Sequence, residues 1–349
     1  MKRITMAHGA GGEVMQDLIK STILKHLLMK SDAEIPLDAL DDAGAINDIV
    51  FTTDSHTVKP LFFPGGDIGS LAVCGTINDI AVMGVKPVAL SSAFVMEEGL
   101  PFSDFEKILA SMHHSCEYAE VPIITGDTKV VEKGALDKMI INTSAIGIRN
   151  EVFERNIKEI KKYRKFDERW LKDSNLRAGD KVILSGYIGD HGIALLSFRE
   201  GYGFESEVQS DVAPLNKMLS EAMKVGGIVA MKDPTRGGLA NTLNESSDKS
   251  KVGILIEEDK IPIREPVRAA CEMLGLDALE IGNEGKAVIA VVKEKVEDVL
   301  RALRKTKEGK EAQIIGECKA DIKGVVMKTV VGGKRVVEPP IGDPIPRIC

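Results

Sequence analysis

The chain has 349 residues, of which 44% are apolar and 28% charged, with a formal net charge of -7. That size and balance fit two ordinary domains with real cores, and the acidic excess argues against general nucleic-acid binding. No apolar run is long enough to span a bilayer, MKRITMAHGAGG has no signal-peptide core, and the five cysteines lack metal-type spacing. The expectation is therefore a cytoplasmic protein with no membrane segment and no disulfide framework.

In chain order, 14–29 has helical apolar spacing and 49–53 is a short strand ending at Asp54. Segment 68–83 is apolar nearly all round, which predicts a buried helix. A strand follows at 87–96, then a helix at 103–118 capped by Ser103 with Glu106 three residues on, then strands at 121–125 and 139–148. The charged stretch RNIKEIKKYRKFDERWLKD (155–173) reads as a solvated linking helix, with a partner site as the alternative. The second half restarts with DKVILSG (180–186) and a helix from about 190. Further strands are predicted at 252–257, 286–292, 312–316 and 325–331, and helices at 213–225, 237–246, 265–274 and 293–305. This pattern predicts a mixed α/β (α+β) chain with domains at 1–150 and 176–331, a linking helix at 151–175 and a mobile tail at 332–349.

Several acids stand where charge is awkward. Asp42 lies in DDAG, Asp54 ends a strand, and Asp127 follows the apolar run VPIIT. Asp79 sits beside Asn78 inside the apolar helix IGSLAVCGTINDIAVMG. A buried unpaired carboxylate would neutralise rather than stay charged, so arginine, backbone donors or a cation must compensate these groups. Oxygen-only ligands favour a hard ion, Mg2+ above Zn2+, and Mg2+ commonly accompanies phosphate. Glycine-rich HGAGG (8–12) and PGGDIG (64–69) let backbone amides approach phosphate, although neither is a P-loop. DPTRGGLANTLNE (233–245) adds Asp233 for metal and Thr235 and Arg236 for phosphate, with an ordinary loop as the alternative. GNEGKAV places Glu284 on a glycine turn, where it is either a solvated surface group or, if dry and facing phosphates, a proton acceptor.

The sequence ends in GDPIPRIC, with prolines at 339, 340, 344 and 346. These predict an extended, solvated segment ending at Cys349, whose thiol is either functional or coincidental on this reading alone. Cys74, Cys116, Cys271 and Cys318 lie in apolar or amphipathic segments and are expected to be structural.

Taken together, HGAGG, TTDSHTVKPLFFPGGDIGSLAVCGTINDIAVMG, TGDTKVV, DPTRGGLANTLNE, GNEGK and PRIC resemble the HypE family of hydrogenase maturation proteins. HypE belongs with aminoimidazole-ribonucleotide synthetase and selenophosphate synthetase, and the likeness runs over nearly the whole chain. It implies a two-domain fold that dimerises through its N-terminal halves, with ATP near the dimer interface. It also implies a cysteine, here Cys349, that receives a carbamoyl group from the carbamoyltransferase HypF. ATP-dependent loss of water then makes a thiocyanate, whose cyanide passes to iron on HypC–HypD for nickel–iron hydrogenase.

On that resemblance Asp42, Asp54, Asp79, Asp127 and Asp233 are the metal candidates. Gly11, Gly12, Asn78, Thr128, Thr235, Arg236 and Gly237 are the nucleotide candidates. Lys129 is a phosphate cation, His8 a polar contact, and Glu284 the base that strips the nitrogen. Selenophosphate synthetase is one competing reading, weakened because AHGAGG holds no cysteine. A non-catalytic carrier of the cysteine tail is another, weakened by the aspartates it would not need.

Overall fold

A computed structural model describes residues 3–199, 207–342, 345 and 347–349. The 14–29 pattern folds as α1 (Gly12–Leu18), a π-helical turn (Ile19–Ile23) and α2 (Leu24–Leu27). Next come β1 (Gly44–Ile46), β2 (Ile49–His56), a small hairpin of β3 (Phe62–Phe63) and β4 (Gly66–Asp67), and α3 (Ile68–Val82). The first half closes with β5 (Lys86–Glu97), α4 (Phe102–Ala119), β6 (Ile123–Val131) and β7 (Met139–Ile148).

The first sheet runs β1-β2-β7-β5-β6, antiparallel throughout except where β6 pairs parallel with β5. Helix α3 is the centre of this half, because its apolar surface goes all the way round and can only be covered by burial. Asp67 caps it, accepting from Gly69 N at 2.7 Å and Ser70 N at 3.0 Å, while Ser70 Oγ accepts from Asp67 N. Ser103 does not cap α4: Pro101 occupies that position and starts the helix at Phe102, leaving Ser103 within the first turn.

Two strands run past their expected ends. β2 continues to His56 through its ladder with β7, so Asp54 lies within the strand. β6 includes Gly126, Asp127, Thr128 and Lys129, and its side chains are exposed along nearly its whole length because it is a sheet edge.

The linking helix is shorter than expected. α5 (Glu151–Ile160) starts at Asn150, whose Oδ1 accepts from Val152 N and Phe153 N, and ends at Ile160. The rest of the basic stretch is irregular chain pinned by its charges. Arg164 binds both oxygens of Asp180 at 2.7 and 2.8 Å, and Arg169 reaches Glu34 and Asp48. Trp170, fully buried, donates to Glu34 Oε2 at 2.8 Å. This stretch is a clamp between the halves rather than a solvated face.

The second half contains β8 (Lys181–Leu184), α6 (Asp190–Phe198), α7 (Asn216–Val225), β9 (Ile228–Lys232), α8 (Gly238–Ser250) and β10 (Gly253–Glu257). It continues with α9 (Glu265–Leu274), β11 (Val288–Val291), α10 (Val296–Leu303), β12 (Gln313–Lys319), β13 (Val325–Lys328) and β14 (Lys334–Val337). The sheet order is β14-β13-β10-β12-β8-β11-β9, with only β10 and β13 parallel. β14 pairs with β13 from Val337 to Lys334, so the chain after Gly332 first adds a strand to the sheet instead of hanging free.

The described residues at the very end of the tail are docked rather than free. Ile345 and Ile348 are buried, and Thr57 N and Lys59 N donate to the carbonyls of Cys349 and Arg347. Pro344 and Pro346, two of the prolines that predict an extended arm, lie outside the described residues. Among the described residues no helix is long and apolar enough to cross a membrane.

Candidate functional site

A cavity of about 290 Å³ opens where the two halves meet. Loop 40–42 brings Asp42, β2 brings Thr52 and Asp54, and α3 brings Asp79. From the second half, the segment after β9 supplies Asp233, Thr235 and Arg236, the turn before β11 supplies Glu284, and the docked tail supplies Cys349. α3 can face the cavity closely because position 75 is glycine. A Cβ there would stand 3.1 Å from the His56 ring, 3.8 Å from Glu284 Oε2 and 3.9 Å from Asp54 Oδ2.

The carboxylates repel one another. Burial, with Asp233, Asp54 and Asp42 nearby, pushes Asp79 well above the carboxylate range, against the Thr52 hydroxyl, which donates to it at 2.8 Å. Burial also raises Asp233, to about 6, against the pull of Lys232. Asp54 goes the other way: burial opposes its charge, but His56, Arg236 and the Ser55 N–H bring its pKa below the ordinary value. Burial, then Asp233, Asp211 and Asp54, push Glu284 well up, and its Oε1 has no hydrogen-bond partner among the described residues. Opposing them all, Arg236 is held more firmly protonated by negative charge at Cys349 and at Asp54, Glu284 and Asp79.

A second group of charges is already balanced. Lys232 Nζ lies 2.5 Å from Asp42, 3.4 Å from Asp173 and 3.4 Å from Glu245. Lys249 Nζ reaches Asp173 at 2.8 Å and Asp41 at 2.9 Å. Burial pushes Asp42 up to about 8, but the ammonium at 2.5 Å and the strongly raised pKa of Lys232 favour the ion pair. The cavity thus has a compensated side, around Lys232, and a side where Asp79, Asp233 and Glu284 outnumber Arg236, which with His56 favours the charge on Asp54. Lys232, Lys249, Asp173 and Glu245 are missed when the search for misplaced charge is confined to acids. The signal was present, since Lys232 closes the otherwise apolar strand IVAMK.

Not every candidate converges. Asp127 and Lys129 lie outside the cavity, exposed and paired with each other at 3.1 Å. The pleat explains why. Asp127 pairs with Ala93, which pairs with Asn142, which pairs with Ser55, so Asp127 shares the face of Ser55, opposite that of Asp54. Thr128 is on the same edge strand, its N–H donating to Asp127.

Asn78 touches neither a carboxylate nor the cavity. Its amide donates to the carbonyls of Ala213 and Glu284 at 3.1 and 3.3 Å and accepts from Leu215 N at 2.8 Å, so it ties α3 to the second half. His8 accepts from Thr5 N and faces a neighbouring cavity that also borders Cys349. Gly11 lines the cavity with φ 77°, closing on the Arg236 backbone. Gly12 is pressed against the tail, where a Cβ would stand 2.0 Å from the Pro340 carbonyl. Gly237 precedes α8 with φ 77°. Among the described residues no three His, Cys, Asp or Glu side chains are close enough to hold a metal ion in this conformation.

Residues 40–149 match the family model of the AIR synthase related protein N-terminal domain, and 177–328 match its C-terminal domain. A carbamoyl dehydratase HypE of Rhizobium leguminosarum bv. viciae is 44% identical, across 99% of this chain and 95% of that protein. The chain belongs to the HypE family. A putative hydrogenase expression/formation protein of Methanocaldococcus jannaschii is 51% identical over 99% of this chain and all of that one. A crystal structure of a HypE–HypF complex superposes with a TM-score of 0.83 at 43% identity, covering 93% of this chain and 99% of that one. A HypE in complex with ATP gives 0.78 at 38% identity, covering 99% and 100%. The two halves seen here, meeting at the carboxylate cavity, are therefore the AIR-synthase-like fold shared by this family.

Proposed function

We propose that this chain uses ATP to dehydrate a carbamoyl group carried on Cys349, making a protein-bound thiocyanate that supplies cyanide for the iron of nickel–iron hydrogenase. The observation that carries this reading is that Cys349 borders the same cavity as Asp54, Asp79, Asp233, Arg236 and Glu284. A carrier alone would need a thiol but not that set of acids. The solved HypE–ATP and HypE–HypF complexes support the nucleotide and HypF as a partner, which in this reading donates the carbamoyl group.

The chemistry of the donor set suits a divalent cation, because the oxygen donors crowded around Asp79 and Asp233 outnumber the cation Arg236, although these side chains would have to draw closer together to share an ion. Asp54, Asp79 and Asp233, with Asp42 once released by Lys232, would hold Mg2+, which when bound neutralises phosphate charge. Arg236 and Thr235 would bind the phosphates. The thiocarbamate oxygen attacks the γ-phosphate, ADP leaves, and the nitrogen gives up its first proton to solvent water. Glu284 takes the second as the C–O bond breaks and phosphate departs, leaving S–C≡N. Overall one thiocarbamate and one ATP give one thiocyanate, ADP, phosphate and a proton.

Asp127, Thr128 and Lys129 enter this reading through a homodimer. The outer face of the first sheet exposes Ile49, Phe51, Ile146 and Ile148 at 39–52%, an apolar patch suited to a second copy. Pairing of these faces would offer one chain's edge strand to the other chain's cavity. HypC–HypD would take the cyanide from the undocked tail.

The test is the intact mass of the protein after incubation with HypF and carbamoyl phosphate, with and without Mg-ATP, for wild type and Cys349→Ala. A carbamoyl adduct that loses one water only with ATP, and never forms on the variant, is expected. An adduct that persists with ATP would leave a mere carrier. No adduct would remove Cys349 from the reaction.

A further inference from the structure

The tail rests in a shaped groove. Thr57 N donates to the Cys349 carbonyl at 3.2 Å and Lys59 N to the Arg347 carbonyl at 3.3 Å, an antiparallel pairing that adds the tail beside the chain leaving β2. The carbonyl between them, of Ile348, accepts from His191 Nε2 at 2.8 Å. That ring is itself fixed: it is buried, its Nδ1 lies 2.7 Å from Ser210 Oγ, and Phe63 packs edge-on against it.

The side chains are read as well. Ile345 and Ile348 are 0% and 2% exposed. They lie over Gly192 and Gly282, where a Cβ would stand 2.6 Å from Ile345 Cδ1 and 3.1 Å from Ile348 Cδ1 respectively. Neither glycine has a left-handed backbone, so part of the reason for glycine there is the room the isoleucines need. Arg347, by contrast, adopts φ 57°, a costly conformation for a non-glycine residue, and is held by Thr57 O, Asp137 and Arg199.

We propose that this groove is a built peptide-binding site for Ile345, Arg347, Ile348 and Cys349, selective for isoleucine at 345 and 348, in which His191 is the positioning residue that sets the register delivering Cys349 to the cavity. Its catalytic consequence rests on the reading of Cys349 as carrier; its existence does not. His191 holds a main-chain carbonyl that no change of tail side chain can remove, and the isoleucines choose which residue lies over it. A one-residue slip would place Arg347 over the glycines and carry Cys349 out of the cavity.

The test uses the full chain without nucleotide or carbamoyl donor, so its outcome is independent of the proposed reaction. The rate of Cys349 alkylation by N-ethylmaleimide is followed by peptide mass mapping, with the half-buried Cys116 as internal reference. Ile348→Ala removes an anchor from the tail and leaves the body intact. It is expected to raise the relative rate about tenfold or more, as a lost buried isoleucine shifts the docking equilibrium. His191→Leu is expected to do the same, and His191→Gln, which keeps an N–H donor, to restore protection. Wild-type rates in Ile348→Ala would overturn the groove. Equal rates in the Leu and Gln variants would overturn the role given to His191.

Discussion

Replacing Glu284 by Gln separates what the carboxylate does for the reaction from what it costs the fold. The exchange keeps the side-chain volume in a site only 3% exposed and leaves untouched the backbone N–H that donates to Asp211 at 3.0 Å. A positioned general base contributes about 10²- to 10⁴-fold in rate, so ATP-dependent loss of water from the Cys349 adduct should slow by that factor. Stability should move the other way. Burial and the neighbouring Asp233, Asp211 and Asp54 raise the folded pKa, so between the ordinary value and the raised one the folded state holds more protons than the unfolded. Stability contributed by that proton declines as pH rises through this window. The variant's melting temperature should therefore match wild type at acid pH and exceed it increasingly toward alkaline pH. Single-turnover mass spectrometry reads the rate and calorimetry across pH reads the fold. Dehydration within about threefold of wild type would refute the assignment of Glu284 as base. A melting advantage that does not grow with pH would refute the electrostatic argument.

Asp79→Asn should weaken the stabilisation that Mg2+ gives in a thermal titration, because the variant loses an oxygen ligand that a bound cation would ionise; an unchanged Mg2+ response would place the ion elsewhere. Asn78→Ala strips partners from the Glu284 carbonyl, the Ala213 carbonyl and Leu215 N, and should cost about 1–3 kcal/mol in denaturant unfolding for the buried groups left unpaired. A cost near zero would mean that water replaces it. Phe51→Glu, on the exposed sheet face, should convert a dimer to monomer by light scattering and should also lower dehydration if Asp127 and Lys129 act on the other copy.

The elements were largely legible in the sequence, since periodicity and all-round apolarity are local properties. α3 is the clearest case: IGSLAVCGTINDIAV can only be buried, and a carboxylate within it at Asp79 demands an explanation before any coordinates are known. The clamp at 161–173 was not legible. Its basic residues read as a solvated helix because their partners, Glu34, Asp48 and Asp180, are scattered along the chain.

By itself the sequence determined which residue types are present and which segments bury them: the aspartates, the glycine turns, the cysteine after PRI and the family likeness that joins them. Tertiary structure decided which of these meet. The pleat of one sheet sends Asp54 and Asp127 to opposite faces, and α3 turns Asp79 to the cavity while fastening Asn78 to the other half. A groove under His191 brings Cys349 beside Arg236. Chemistry at the site depends on proximity between groups up to about 300 residues apart, and no local rule about spacing encodes that proximity.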